Sequence, residues 1–443
     1  MTARMVVRAL HGVLWLALAG ILALTLVRGQ GLIQPLTLAL AGLLLLWTLL
    51  GLRHGSRLFG LAAAVLLALP VYGYEAYLAW NQPTKRSVTE ALRAGGIDAY
   101  PAIFPSGFVE LEAATHDGSP LKVEGEEVLP LAGVPGVETV YCYDAQGQSV
   151  VYRSDRLGFR NPAEGAVVGG PSFALLGGAL VQGHCVERPA TFEAQLGTLG
   201  QVTSFGMDGA APLAQAAIYR EYVEPTRPDR LIWFFAEGED LAGLARETAW
   251  PMLRAYLDPG YSQDLLARQE VIGNGLRSMI DRDFGSNLVD FLSREAGVER
   301  SLAGEIKSAL TLARLRARLP GYKERPAVDA APVLDPASLT ALRAIWTDVA
   351  RRQQANGGRV TFVYLPSQGR FASQDPAGYR DFEQQIVTIW DEIGASHVSL
   401  SPAIEASQDP AALYSWRRFT TAGYRYAGDA LLQDLEQRLA ASD

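Results

Sequence analysis

The sequence predicts a doubly wound α/β domain carried behind three membrane-spanning helices and a small β-rich connector. Three observations predict it. The first 81 residues hold three uncharged apolar runs, and the chain from about residue 163 alternates continuous apolar runs with helical stretches. The first of those apolar runs enters a two-glycine elbow inside Phe173–Glu187, FALLGGALVQGHCVE. Strands that are apolar throughout fit a parallel sheet covered on both faces, and strand–helix alternation builds a doubly wound domain with its site at the C-terminal strand ends.

The apolar runs are residues 10–27, 29–52 and 58–74, the last ending at Glu75. Each approaches the ~20 residues a helix needs to cross a bilayer. Arg4 and Arg8 precede the first run, and Arg53 and Arg57 lie between the second and third. That bias places the N-terminus in the cytoplasm and the large C-terminal part outside it. The expected partners are therefore the lipid bilayer, through three helices, and a membrane protein packed laterally against them. A net charge of −8 and the lack of any basic domain exclude nucleic acid as a partner. The two cysteines, Cys142 and Cys185, are too few for a disulfide scaffold, and read equally as one bridge or as two buried thiols.

Residues 82–162 read as a β-rich extracytoplasmic connector, with a hairpin from Glu138–Tyr143 and Ser149–Tyr152. Residues 163–443 form the α/β domain. Its strands are expected at Phe173–Leu176, Gln201–Phe205, Arg230–Phe235, Arg359–Leu365 and His397–Leu400, with helices at Glu187–Leu199, Leu213–Val223, Asp240–Leu257, Ser338–Gln354, Gly378–Ile393 and Ala422–Leu439. The mostly helical stretch 241–325 is longer than a crossover needs and reads as an insertion beside the site. Arg314, Arg316, Arg318, Lys323 and Arg325 near its end read as a solvated basic face.

The elbow supplies the functional signal. A sharp strand-to-helix turn lifts one residue above the sheet edge and aims helix N–H groups at it, the geometry that presents a nucleophile in hydrolytic α/β folds. Here that residue is Ala179, which has no nucleophilic atom. The lead-in Tyr152–Pro162 (YRSDRLGFRNP) and the elbow glycines Gly177 and Gly183 resemble those of a membrane-attached bacterial branch of the SGNH/GDSL hydrolase family. The resemblance continues through Gly206 after the second strand, Gly238 and Asp240 after the third, and Arg417-Arg418-Phe419 before the last helix. It implies an SGNH-like three-layer α/β/α domain with a parallel sheet.

At the family's chemical positions the chain departs from it. Gly178 stands for the elbow Asp, Ala179 for the nucleophilic Ser, and Glu239 for the Asn that donates to the oxyanion; the segment after Arg418 holds no His. An ionised carboxylate accepts hydrogen bonds and carries the wrong charge to stabilise an oxyanion. The chain thus reads as a catalytically degenerate member with no catalytic residue, whose vestigial positions are Gly177, Gly178, Ala179, Gly206, Gly238, Glu239, Asp240 and Arg418. His184 is expected on the helix after the elbow, facing elsewhere, and His116 and His397 as structural histidines. No motif points to a metal or a cofactor.

The expected function is a non-catalytic binding or scaffolding subunit of a bacterial envelope complex, at the inner membrane with its large domain periplasmic, keeping the cleft for a partner, glycan or acyl ligand. Two alternatives compete: an active esterase or O-acyltransferase on envelope glycans using other residues, and a structural subunit acting through its membrane helices.

Overall fold

The computed structural model describes residues 68–78, 84–115, 121–143, 148–162, 171–293, 309–317, 330–373, 375–415 and 418–440. The chain divides into two compact units, residues 1–82 with 300–325, and residues 83–299 with 326–443.

In the first unit, residues 68–78 are helical. Glu75 is buried there, and its carboxylate accepts the backbone N–H groups of Arg314 (3.1 Å) and Leu315 (2.8 Å). Among the described residues no helix is long and apolar enough to cross a membrane, which corrects the expectation that the architecture includes three transmembrane helices. The physical reason is plain in the described part of the third run. The helix over residues 68–78 contains Pro70 and, just past the run, a Glu75 that is buried and hydrogen-bonded to backbone N–H groups. The first two runs, and residues 58–67 of the third, lie outside the described residues.

The second unit holds two principal sheets. The smaller comprises β1 (Ala99–Pro101), β2 (Glu138–Tyr143) and β3 (Ser149–Arg153), with β1 parallel and β3 antiparallel to β2. The larger comprises β4 (Ser172–Gly177), β5 (Gln201–Gly206), β6 (Arg230–Ala236), β7 (Arg359–Leu365) and β8 (Ser396–Ser399). Every pairing in it is parallel, in the order β8-β7-β6-β4-β5. The chain leaves β4 for the edge strand β5 and then crosses back to β6. The C-terminal ends of β4 and β6 therefore flank the crevice where open α/β sheets bind ligands.

The alternation within each strand explains the layers. Leu231, Trp233 and Phe235 of β6 face one core, with Phe362 and Tyr364 of β7, while Ile232 and Phe234 face a second core with Val363 and Leu365. Into the first core pack Leu342 and Trp346 of helix 336–355 and Phe382 and Trp390 of helix 376–392, Trp390 stacking on Phe362 at 5.0 Å. Into the second pack Phe192 and the Tyr424, Ala427 and Leu431 stripe of the closing helix Thr421–Ala440. Because both faces are covered, no polar face is needed, and the strand runs are continuously apolar. Tyr141, Cys142 and Phe159 of residues 82–162 belong to the first core, so this segment shares the packing of the larger sheet.

Four helices position the site: α1 (Ala179–Gln182), α2 (Phe192–Leu196), α3 (Pro212–Ile218) and α4 (Glu239–Ala249). The stretch expected as one helix over 187–199 is a 3-10 turn at Arg188–Ala190, α2, and a second 3-10 turn at Gly197–Leu199. The start of α3 is capped from a distance. Glu247 on α4 is buried and accepts the N–H groups of Ala211 (2.7 Å), Leu213 (3.0 Å) and Ala214 (3.1 Å).

Burial pushes the Glu247 carboxyl up to about 7 from 4.5, against the pull of those donors. A raised folded-state value means that the folded chain holds the proton more tightly than the unfolded chain. Stability from this group is therefore full below about pH 4.5 and is lost as pH rises through about 7. In urea titrations across that range, the wild type is expected to lose on the order of 3 kcal/mol relative to Glu247→Gln. Parallel curves for the two proteins would refute the assignment.

Candidate functional site

Gly177 ends β4 and pairs across the sheet with Gly206 at the end of β5. Gly178 precedes α1, and its carbonyl accepts the N–H groups of Val181 (3.1 Å) and Gln182 (3.2 Å). Ala179 opens α1 and is only 3% exposed, so the tip of the elbow is closed as well as chemically blank. The N–H of Gly206 lies within hydrogen-bond distance of the Ser204 hydroxyl oxygen, 3.3 Å away. Gly238 caps α4, which begins at Glu239.

Asp240 is buried below the elbow. It accepts the Ala236 N–H (2.7 Å) and the Gln215 side-chain amide (3.0 Å), while Gln215 in turn accepts the Trp233 indole N–H (2.7 Å). Burial, reinforced by the charges of Glu239 and Glu247, raises the Asp240 carboxyl well above its ordinary value. A methyl group on Gly178 would lie 3.8 Å from the Gln215 amide nitrogen and 3.9 Å from Asp240 Oδ1. The pair therefore lies in van der Waals reach of the Gly178 position, beside the Ala210 carbonyl.

On the other side of the elbow stands a group of polar and charged side chains that the sequence reading misses. Asp208, two residues past Gly206, is fully buried. His184 Nδ1 lies 3.4 Å and the Tyr141 hydroxyl 3.5 Å from its Oδ2, and Arg418 Nη2 lies 3.7 Å from its Oδ1. The Gln182 side-chain oxygen accepts the Asp208 N–H at 2.7 Å. Burial raises the carboxyl, but the His184 hydrogen bond and the Arg418 charge outweigh it and hold Asp208 below its ordinary value. Arg418 also donates to Glu239, so Glu239 is bound in an ion pair and does not serve as a hydrogen-bond donor. Burial opposes the Arg418 charge, yet the carboxylates of Glu239 and Asp208 raise its value above the usual guanidinium range. Two acids flanking one elbow are thus driven in opposite directions, a pattern that marks functional crevices as well as structural ion pairs.

His184 reaches Asp208 because α1 is a single turn. Gly183 follows it at φ 82°, a left-handed conformation that glycine adopts without steric cost. The chain then reverses: the His184 N–H donates to the Ala179 carbonyl (3.1 Å) and to the Tyr424 hydroxyl (2.8 Å). The expectation that His184 rides a continuing helix away from the elbow is therefore corrected. The glycine four residues after Ala179 was the sequence signal for it. His397 sits elsewhere, 3.5 Å from Asp391, and His116 lies outside the described residues. Cys142 and Cys185 form a disulfide, with Cα atoms 5.6 Å apart. Among the described residues no group of three or more His, Cys, Asp or Glu side chains could hold a metal ion.

The fold and the site together define a doubly wound α/β domain of strand order 2-1-3-4-5, whose switch-point elbow carries alanine between two buried aspartates, Asp240 with its carboxyl raised above the ordinary value and Asp208 with its carboxyl held below it. No protein-family model matches the sequence, and no curated protein matches it.

Proposed function

We propose that this chain is a hydrolase-like domain of SGNH type that no longer hydrolyses, and that it serves as a binding or scaffolding subunit of a bacterial envelope complex. The observation that carries the reading is Ala179, buried at the tip of an elbow that otherwise keeps its shape. Two neighbours support it: Glu239 is paired with Arg418 where a neutral donor is needed, and the Gly206 N–H lies beside the Ser204 hydroxyl. An extracytoplasmic setting is supported by the Cys142–Cys185 bond, since disulfides persist in oxidising compartments. The apolar runs of the first 81 residues support a place at the inner membrane. The expected ligand of the crevice is a partner protein, a glycan or an acyl group.

One observation favours a second reading. His184 beside a buried, ionised Asp208 has the relation of a base to the acid that orients it, as an esterase requires. A single assay separates the two. The purified full-length chain is expected to show neither turnover of small acyl esters nor labelling by a serine-reactive fluorophosphonate. Turnover that is abolished in His184→Gln would overturn the pseudohydrolase reading in favour of the esterase.

A further inference from the structure

Two local distortions meet at Asp208, and the disulfide joins them. In β2 the register slips between Val140, opposite Val151, and Cys142, opposite Val150, so Tyr141 is the extra residue of a β-bulge. Bulges re-aim side chains, and the Tyr141 hydroxyl ends 3.5 Å from Asp208 Oδ2. Across the carboxylate, His184 lies between Gly183 at φ 82° and Cys185 at φ 52°, a region that side-chain-bearing residues seldom enter. The residue after Tyr141 is bonded to the residue after His184. One covalent link therefore holds in place both side chains that approach the same oxygen of a fully buried charge, which burial tolerates only when it is compensated.

We infer that the Cys142–Cys185 bond is the clasp that assembles the crevice, so that the complete site exists only in the oxidised chain. This rests on the reading of the crevice as a binding site and adds its regulation by compartment. In the closing step the two thiols lose two protons and two electrons to an exchange partner that carries a disulfide, which departs as a dithiol. The site is then completed only after the chain has reached an oxidising compartment. Arg160 is the non-covalent counterpart of the clasp. Its guanidinium lies 5.1 Å from the Tyr152 ring centre and donates to the Gly183 (2.6 Å) and Val186 (2.7 Å) carbonyls. Opening the disulfide should accordingly loosen the site without melting the sheet.

The test is hydrogen exchange of the full-length chain, compared oxidised and after reduction by dithiothreitol, with the Cys142→Ser/Cys185→Ser variant as a second route to the open form. Amides of residues 141–143, 183–186 and 207–208 are expected to exchange at least roughly tenfold faster when the bond is open, while those of β6 and β7 keep their rates. Equal rates in both forms would overturn the inference. So would a rise that extends equally through β6 and β7, which would make the bond a general staple, or alkylation of both cysteines before any reductant is added. Ester turnover by the oxidised chain would sink the pseudohydrolase reading and leave the exchange result standing, so the two failures are distinct.

Discussion

Arg370→Met is expected to lower the unfolding free energy by ~3–5 kcal/mol, the cost of leaving a buried charge without its partner. Arg370 is 3% exposed and Glu237 fully buried, with 2.6 Å between them, and Arg370 also reaches Glu383 at 2.7 Å. Glu237 directly precedes Gly238, the cap of α4, and accepts from Tyr364, from the Ser367 N–H at 2.8 Å and from the Ser367 hydroxyl at 2.9 Å. Those donors remain after the substitution, but the cation shared by Glu237, Glu383 and Glu405 is lost. Denaturant melts of Arg370→Met, Glu237→Gln and the double variant check this. The double variant should lose less than the sum of the singles, because once the charge is gone its partner is no longer missed. Strict additivity would show that the pair is not coupled.

Gly206→Ala is expected to cost ~1–3 kcal/mol and to displace the elbow. A methyl group built there falls 2.3 Å from the Gln182 nitrogen and 2.5 Å from the Val181 carbonyl carbon. Both are backbone atoms of α1, so they cannot swing aside as the end of a side chain can. The required control is Gly197→Ala, where nothing lies within 4 Å and φ is −58°. It should be neutral, or stabilising by up to ~1 kcal/mol through the unfolded state. If Gly206→Ala melts with the wild type, β5 and α1 are not in the close contact described.

The centre of the larger sheet was legible because β4, β6 and β7 are buried on both sides. Arg230–Phe235 and Arg359–Leu365 read directly as continuous apolar runs, and the strands found there are Arg230–Ala236 and Arg359–Leu365. Gly206 was picked out at the end of the second strand, and it is a position where a methyl group would meet the backbone of α1. At the N-terminus hydropathy did not anticipate the setting of the described helix 68–78. An apolar run measures what a segment could bury, and the described end of the third run instead buries Glu75 against Arg314 and Leu315. The group around Asp208 was hidden because Tyr141, His184, Asp208 and Arg418 come from four separate segments. Their meeting depends on a bulge, a one-turn helix and a disulfide, none of which leaves a periodic trace. Only the position of Gly183 hinted that His184 turns back.

The order of the strands also bears on how the chain reaches this state. β4, β5 and β6 are close in sequence and can pair as soon as they are made, but Arg230 of β6 must wait for Arg359 of β7. Until then the Leu231–Phe235 edge, which becomes the middle of the finished sheet, is exposed and unpaired. Pairings between strands so distant in the chain close slowly, and an apolar edge waiting in the open invites association with other chains. The apolar central strand is thus a point at which an incompletely folded chain is vulnerable to aggregation.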